Sequence, residues 1–326
     1  MDAPLPLPSL TTRAPIALFV YNRPDHTHRT VEALAANEGA AESPLFIFSD
    51  APRTPAAAPL VEQVRAYVRT VTGFAQVTVI ERDENMGLAR SIIDGVTGLT
   101  ERYGRVIVLE DDLATAPGFL CFMNDALDAY ADAPRVLSVC GYMYPVTFDT
   151  PGDTLFLRAP HSWGWATWKD RWSLFLSDGS ALLQELEARG LLGAFDANGP
   201  HAYTRMLRDQ IAGRNDSWFI RWYAASLLAD RMSLYPVRSL VSNIGIDGSG
   251  VHCAEWRFDP YAVQLQGGRL RVDVAEPVES EAAKATLARY YRRVHWLRYV
   301  NFAYRKLAPL RRLAGWPDPA RRATRS

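Results

Sequence analysis

Long apolar runs are missing from this sequence. The longest, such as Ile16 to Tyr21 and Val106 to Leu109, are strand-sized and far short of the roughly 20 residues that a membrane-spanning helix needs. Cysteine is scarce. Cys121, Cys140 and Cys253 are odd in number and lack CxxC spacing, which argues against a disulfide framework or a zinc site and reads them as buried thiols. The N-terminus, Met1 to Pro15, carries prolines where a signal peptide has a basic start and an apolar helix, so it reads as a loose leader on a cytoplasmic protein. Internal repeats and low-complexity tracts are absent. So is net charge, but the zero conceals an asymmetry. From Arg289 onward there are eleven Arg and Lys against one acid, Asp318, so this segment is +10 and the remainder −10.

What is present describes a globular enzyme-sized chain: 326 residues, 48% hydrophobic and 22% charged. The first 140 residues alternate strand-like and helix-like patterns. Apolar runs at Ile16–Tyr21, Leu45–Phe48, Gln76–Ile80 and Arg105–Leu109 are separated by helical compositions at Asp25–Ala36, Pro59–Thr72 and Leu88–Glu101. Short apolar strands between helices predict βαβ units and an α/β fold, with a mostly parallel central sheet covered on both faces. Ligands of such sheets sit beyond the carboxyl ends of the strands, which is where Asn22-Arg23, Ser49-Asp50 and Glu110-Asp111-Asp112 fall. Past Val136 the pattern turns irregular and aromatic. Seven of nine tryptophans lie between Trp163 and Trp256, which predicts a loop-built half walling the crevice with rigid rings.

Three adjacent carboxylates after a buried strand repel one another unless a cation relieves them, and a hard divalent ion with oxygen ligands is the usual relief. The competing reading is a helix N-terminus, where acids are favoured and which Pro117 would suit.

Leu109-Glu-Asp-Asp112 after an apolar strand, Phe19-Val-Tyr-Asn-Arg-Pro24 at the first strand and Trp163-Gly-Trp-Ala-Thr-Trp168 further on together resemble the GT-A glycosyltransferases. The set is most similar to bacterial family-2-like enzymes related to N-acetylglucosaminyltransferase I. The resemblance spans about residues 14 to 256, roughly three quarters of the chain. It implies a nucleotide-diphospho-sugar transferase fold and an inverting transfer from a nucleotide-sugar, a UDP-sugar, to a glycan or lipid-linked acceptor in surface polysaccharide synthesis.

The resemblance also implies roles. Asp112, last of the DxD-type motif, binds Mn2+ or Mg2+, joined by the late histidine His252; Glu110 and Asp111 hold the ribose. Tyr21, Asn22 and Arg23 face the nucleotide, Asp50 accepts from the base, and Arg90 reaches toward the diphosphate. Trp163, Gly164 and Trp165 form the glycine loop beneath donor sugar and acceptor, while Trp168 belongs to the core. The base that deprotonates the acceptor hydroxyl is Asp216 in Asn215-Asp-Ser-Trp218, with a departure: Phe219 stands where related sequences often carry an aspartate. Ser242 to Gly248 shapes the loop carrying His252.

The expected organisation is a leader (1–13), a catalytic domain (14–256, divided near 140 into nucleotide and acceptor halves) and a basic helical extension (257–326). Leu287 to Leu313 reads as a basic, aromatic-studded helix or helix pair. It suits an anionic membrane surface, with Trp296, Tyr299, Phe302 and Tyr304 as interfacial rings, and equally a catalytic domain of opposite charge. Nucleic acid is disfavoured, since no recognition motif accompanies the charge. Two other functions compete. A sugar nucleotidyltransferase shares the fold and metal, but Phe19 to His26 lacks the glycine-rich loop such enzymes carry. A degenerate, non-catalytic glycan- or partner-binding relative is suggested by Phe219.

Overall fold

The computed structural model describes residues 13–150, 152–199, 201–247 and 259–306, the last nine by backbone alone. Ten strands are present among them: β1 (Ile16–Val20), β2 (Pro44–Ser49), β3 (Gln76–Glu81), β4 (Arg105–Glu110), β5 (Leu113–Thr115), β6 (Val136–Cys140), β7 (Thr154–Leu157), β8 (Trp165–Trp168), β9 (Met232–Pro236) and β10 (Val241–Asn243). The helices are α1 (Pro24–Ala35), α2 (Ala58–Val68), α3 (Leu88–Tyr103), α4 (Phe119–Ala129), α5 (Lys169–Trp172), α6 (Gly179–Ala188), α7 (Leu192–Phe195), α8 (Tyr203–Ile211), α9 (Trp218–Leu228) and α10 (Glu281–Lys306).

Eight strands form one sheet in the order β3-β2-β1-β4-β8-β6-β9-β7, and β10 pairs with β5 in a separate ribbon. The first four run parallel, β8 is antiparallel to both its neighbours, β6 and β9 are parallel to each other, and β7 closes the edge antiparallel. The chain is therefore α/β with a mostly parallel central sheet and flanking helices.

Alternation along the strands splits the core in two, as a sheet buried on both faces requires. Ile16, Leu18 and Val20 of β1, Leu45 and Ile47 of β2, and Ile107 and Leu109 of β4 point to one face, where α1, α2 and α4 cover them. Ala17, Phe19, Phe46, Phe48, Val106 and Val108 point to the other, against Ile92, Val96 and Leu99 of α3 and a cluster of tryptophans. Helix α3 approaches this face closely because it carries Gly95, where a Cβ would stand 2.8 Å from the Phe19 ring.

The half expected to be loops supplies four of the eight sheet strands, β6 to β9, together with α5 to α9. Trp165 and Trp168 bound β8 itself. Helix α10 begins earlier than the basic run suggested. It buries Ala283, Leu287 and Val294 along one face, the first two in a cluster with Leu155 and Leu157 of β7 and Tyr235 of β9. Its packed stretch therefore lies on the sheet edge. Among the described residues no helix is long and apolar enough to cross a membrane.

Candidate active site

Register places the chemistry. Phe19 pairs with Glu110, Val20 with Ser49, and Ser49 with Glu81, so Tyr21, Asp50 and Asp111 follow one another along the carboxyl edge of the sheet. The acid triplet does not open a helix: β5 follows at once and pairs with β10, which removes the capping explanation for it. Asp111 turns back into the fold, where its Oδ2 accepts the Tyr21 backbone N–H at 3.2 Å and its carbonyl accepts the Thr30 hydroxyl at 2.9 Å.

Asp112 turns the other way. Its Oδ2 lies 2.7 Å from Nη1 of Arg23, both side chains about 15% exposed, and its carbonyl accepts the Ile244 N–H at 2.8 Å. Arg23 also donates from Nη2 to the Gly245 carbonyl (3.3 Å) and stands 3.7 Å from Asp247, which in turn lies 3.1 Å from Nε2 of His26. The 243–247 loop thus sits directly on the acid cluster. Gly245 is what allows this, because a Cβ there would be 2.2 Å from Asp112 Oδ2.

The electrostatics follow from crowding. Burial, and then the negative charge of Asp112, pushes the Glu110 carboxyl up to about 8; the same two causes push Asp111 up to about 7. Arg23 does not offset this crowding, and further positive charge would favour the ionised forms of Glu110 and Asp111. The oxygen donors fit a hard divalent ion. Among the described residues, however, no three His, Cys, Asp or Glu side chains are arranged to hold a metal. Asp112 would have to share such an ion with ligand oxygens; His252, the other expected ligand, lies outside the described residues.

Asp50 is fully engaged by the protein. Its Oδ1 accepts the backbone N–H groups of Ala51 and Met86, and its Oδ2 accepts Gly87 N–H and the Asn85 amide, at 2.8–3.0 Å. It ties the β3–α3 loop to the end of β2. Tyr21 accepts the Arg53 N–H on its hydroxyl at 2.9 Å, Asn22 is half-buried beside it, and Arg90 is exposed in the first turn of α3.

The tryptophans divide differently from expectation. Trp163 is half-buried, edge-on to Tyr142, His161 and Tyr261. Gly164 has φ +64°, packs beneath Val241 and accepts Gly141 N–H at 2.6 Å. Trp165, expected beside the crevice, is instead 1% exposed and stacked on Trp218 in the core, leaving no face for a ligand. Trp168 is buried as expected.

A cavity of about 1090 Å3 opens beside this loop, lined by Trp163, His161, Tyr144, Phe219, Ile246 and residues of α10. Burial drives the His161 imidazole down to about 3, so it is neutral, and its Nδ1 accepts the Trp163 N–H at 3.1 Å. Asp216 is not part of this lining. Its side chain is 72% exposed and 3.5 Å from Arg221, and Ser217 rather than Asp216 caps α9. Sequence reasoning missed His26, the contact of Gly245 with Asp112, and the α10 wall. The loop Ser242 to Gly248, expected to carry His252, contains both Gly245 and Asp247.

No protein-family model matches the chain, and no curated protein matches it by sequence. Solved structures do. Mannosyltransferase PcManGT from Pyrobaculum calidifontis, in complex with GDP-Man and Mn2+, aligns at 14% identity over 69% of this chain and 73% of its own, with TM-score 0.35. A UDP-glucose pyrophosphorylase complexed with UDP-glucose aligns at 10% identity over 68% and 90%, TM-score 0.34. Mouse xyloside xylosyltransferase 1 aligns at 10% over 66% and 81%, TM-score 0.34. Likenesses this distant assign no activity to the chain, and its functional reading rests on its own residues.

Proposed function

We propose that the chain is a metal-dependent inverting glycosyltransferase that takes a sugar from a nucleotide-sugar, a UDP-sugar in our reading, and passes it to a glycan or lipid-linked acceptor of a surface polysaccharide on the cytoplasmic side. One observation carries this: a crowded carboxylate triplet at the carboxyl edge of a parallel sheet, short of positive charge and clasped by an arginine and a glycine loop. That is an environment for a cation bearing a diphosphate.

In this reading Asp112 is the metal ligand with His252 and Glu110 faces the ribose, while Asp111, turned inward to the Tyr21 N–H, holds the strand ends together instead of touching the ribose as expected. A bound Mn2+ or Mg2+ would neutralise the negative charge that develops on the departing nucleotide. Arg23, which pairs with Asp112 at the strand end, would be placed to pair with phosphate oxygens. Asp50 acts by holding the 85–87 loop, since a direct bond to the base would displace partners it already has. The exposure of Asp216 and the presence of Phe219 in the cavity lining give no support to Asp216 as the base.

A nucleotidyltransferase would need a phosphate-cradling loop after β1, and only Tyr21-Asn22-Arg23 connects β1 to α1. The two readings separate on products. Incubated with Mn2+ and a panel of nucleotide-sugars, the wild type should slowly release nucleoside diphosphate from its donor, and Asp112→Asn should not. Pyrophosphate release from a nucleoside triphosphate and a sugar phosphate would instead establish the other activity.

A further inference from the structure

The cavity beside the acid cluster has features that a donor site alone does not explain. Its volume, about 1090 Å3, slightly exceeds the roughly 300–1,000 Å3 typical of small-molecule sites, so it has room for more than one sugar ring. Ile246, next to Gly245, lines it, so one loop borders both the acid cluster and the cavity.

Its wall combines two kinds of surface. Trp163, His161 and Tyr144 meet edge to face and are half-buried, which presents flat apolar rings of the kind on which sugar C–H faces stack. The same cavity is also lined by an ionic group. Glu279 accepts the Arg158 backbone N–H at 3.2 Å and pairs with the Arg158 guanidinium at 3.4 Å and with Lys284 at 3.2 Å. Such a group offers both donors and acceptors to hydroxyls. A purely hydrocarbon ligand would strip water from those charges and return nothing. Helix α10 supplies part of the wall, and its small Ala285 and Ala288 line the space.

We propose that this cavity is a saccharide-binding site for a di- or trisaccharide segment, walled by α10. Its role as the acceptor site rests on the transferase reading above; saccharide binding itself does not.

The test uses the full chain on an array of immobilised di- and trisaccharides, with Ala288→Trp to fill the cavity and Ala285→Trp as a second filling variant should the first melt early. In parallel, thermal shift with UDP and Mn2+ follows the donor side. The wild type should retain a subset of the glycans, and a filled variant that melts with the wild type should retain them roughly tenfold less or worse, with its response to UDP and Mn2+ unchanged. Absence of retention by the wild type, equal retention by filled variants, or displacement of bound glycan by UDP would overturn the proposal. Glycan retention lost on filling, in a chain that ignores UDP and Mn2+, would uphold the saccharide site while removing the transferase reading.

Discussion

At the level of single residues the acid triplet was the most legible feature, because its position past an apolar strand and its like charge are both written in the sequence. What the sequence did not write is how each acid turns: Asp111 inward to the Tyr21 N–H, Asp112 outward to Arg23. That division depends on a loop more than 130 residues away, and no local pattern marks Gly245 as the residue that must lack a Cβ. The crowding has a pH consequence. Glu110 has its ordinary value of 4.5 raised to about 8, so between those values the folded chain binds more protons than the unfolded chain, and its stability falls as pH rises through that window. With chelator present, the wild-type melting temperature should decline from pH 5 to pH 8. Glu110→Gln, which cannot ionise, should make that decline shallower and leave the part due to Asp111; an equally steep profile in the variant would exclude Glu110 as a source.

At the level of elements, the βαβ half followed its sequence pattern to within a few residues, since its strands are short and largely apolar and are separated by helices of their own. The second half did not, for a physical reason. β8 lies between β4 and β6, antiparallel to both, and its Trp165-Ala-Thr-Trp168 looks like an aromatic motif until long-range pairing makes it a strand. That pairing buries Trp165. Helix α10 was legible as a helix but not in its docking. Leu287, 4% exposed, packs with Leu155 and Leu157, so Leu287→Ala should cost about 2–5 kcal/mol if α10 unfolds together with the sheet. Denaturant unfolding followed by circular dichroism checks this, and a loss under about 0.5 kcal/mol, the size of an ordinary surface change, would mean that α10 is not part of the cooperative unit.

At the level of the whole molecule, the loop 243–247 joins two environments: a crowded carboxylate cluster at the sheet's carboxyl edge, and an aromatic cavity lined in part by α10. The first accounts for a diphosphate with its cation, the second for a sugar chain, and their adjacency for transfer between them. The most direct measurement is isothermal titration of UDP into the wild type and Asp112→Asn, each with Mn2+ and with chelator. The account predicts binding to the wild type that depends on Mn2+ and is lost in Asp112→Asn. Binding that is indifferent to Mn2+, or that survives the substitution, would contradict it.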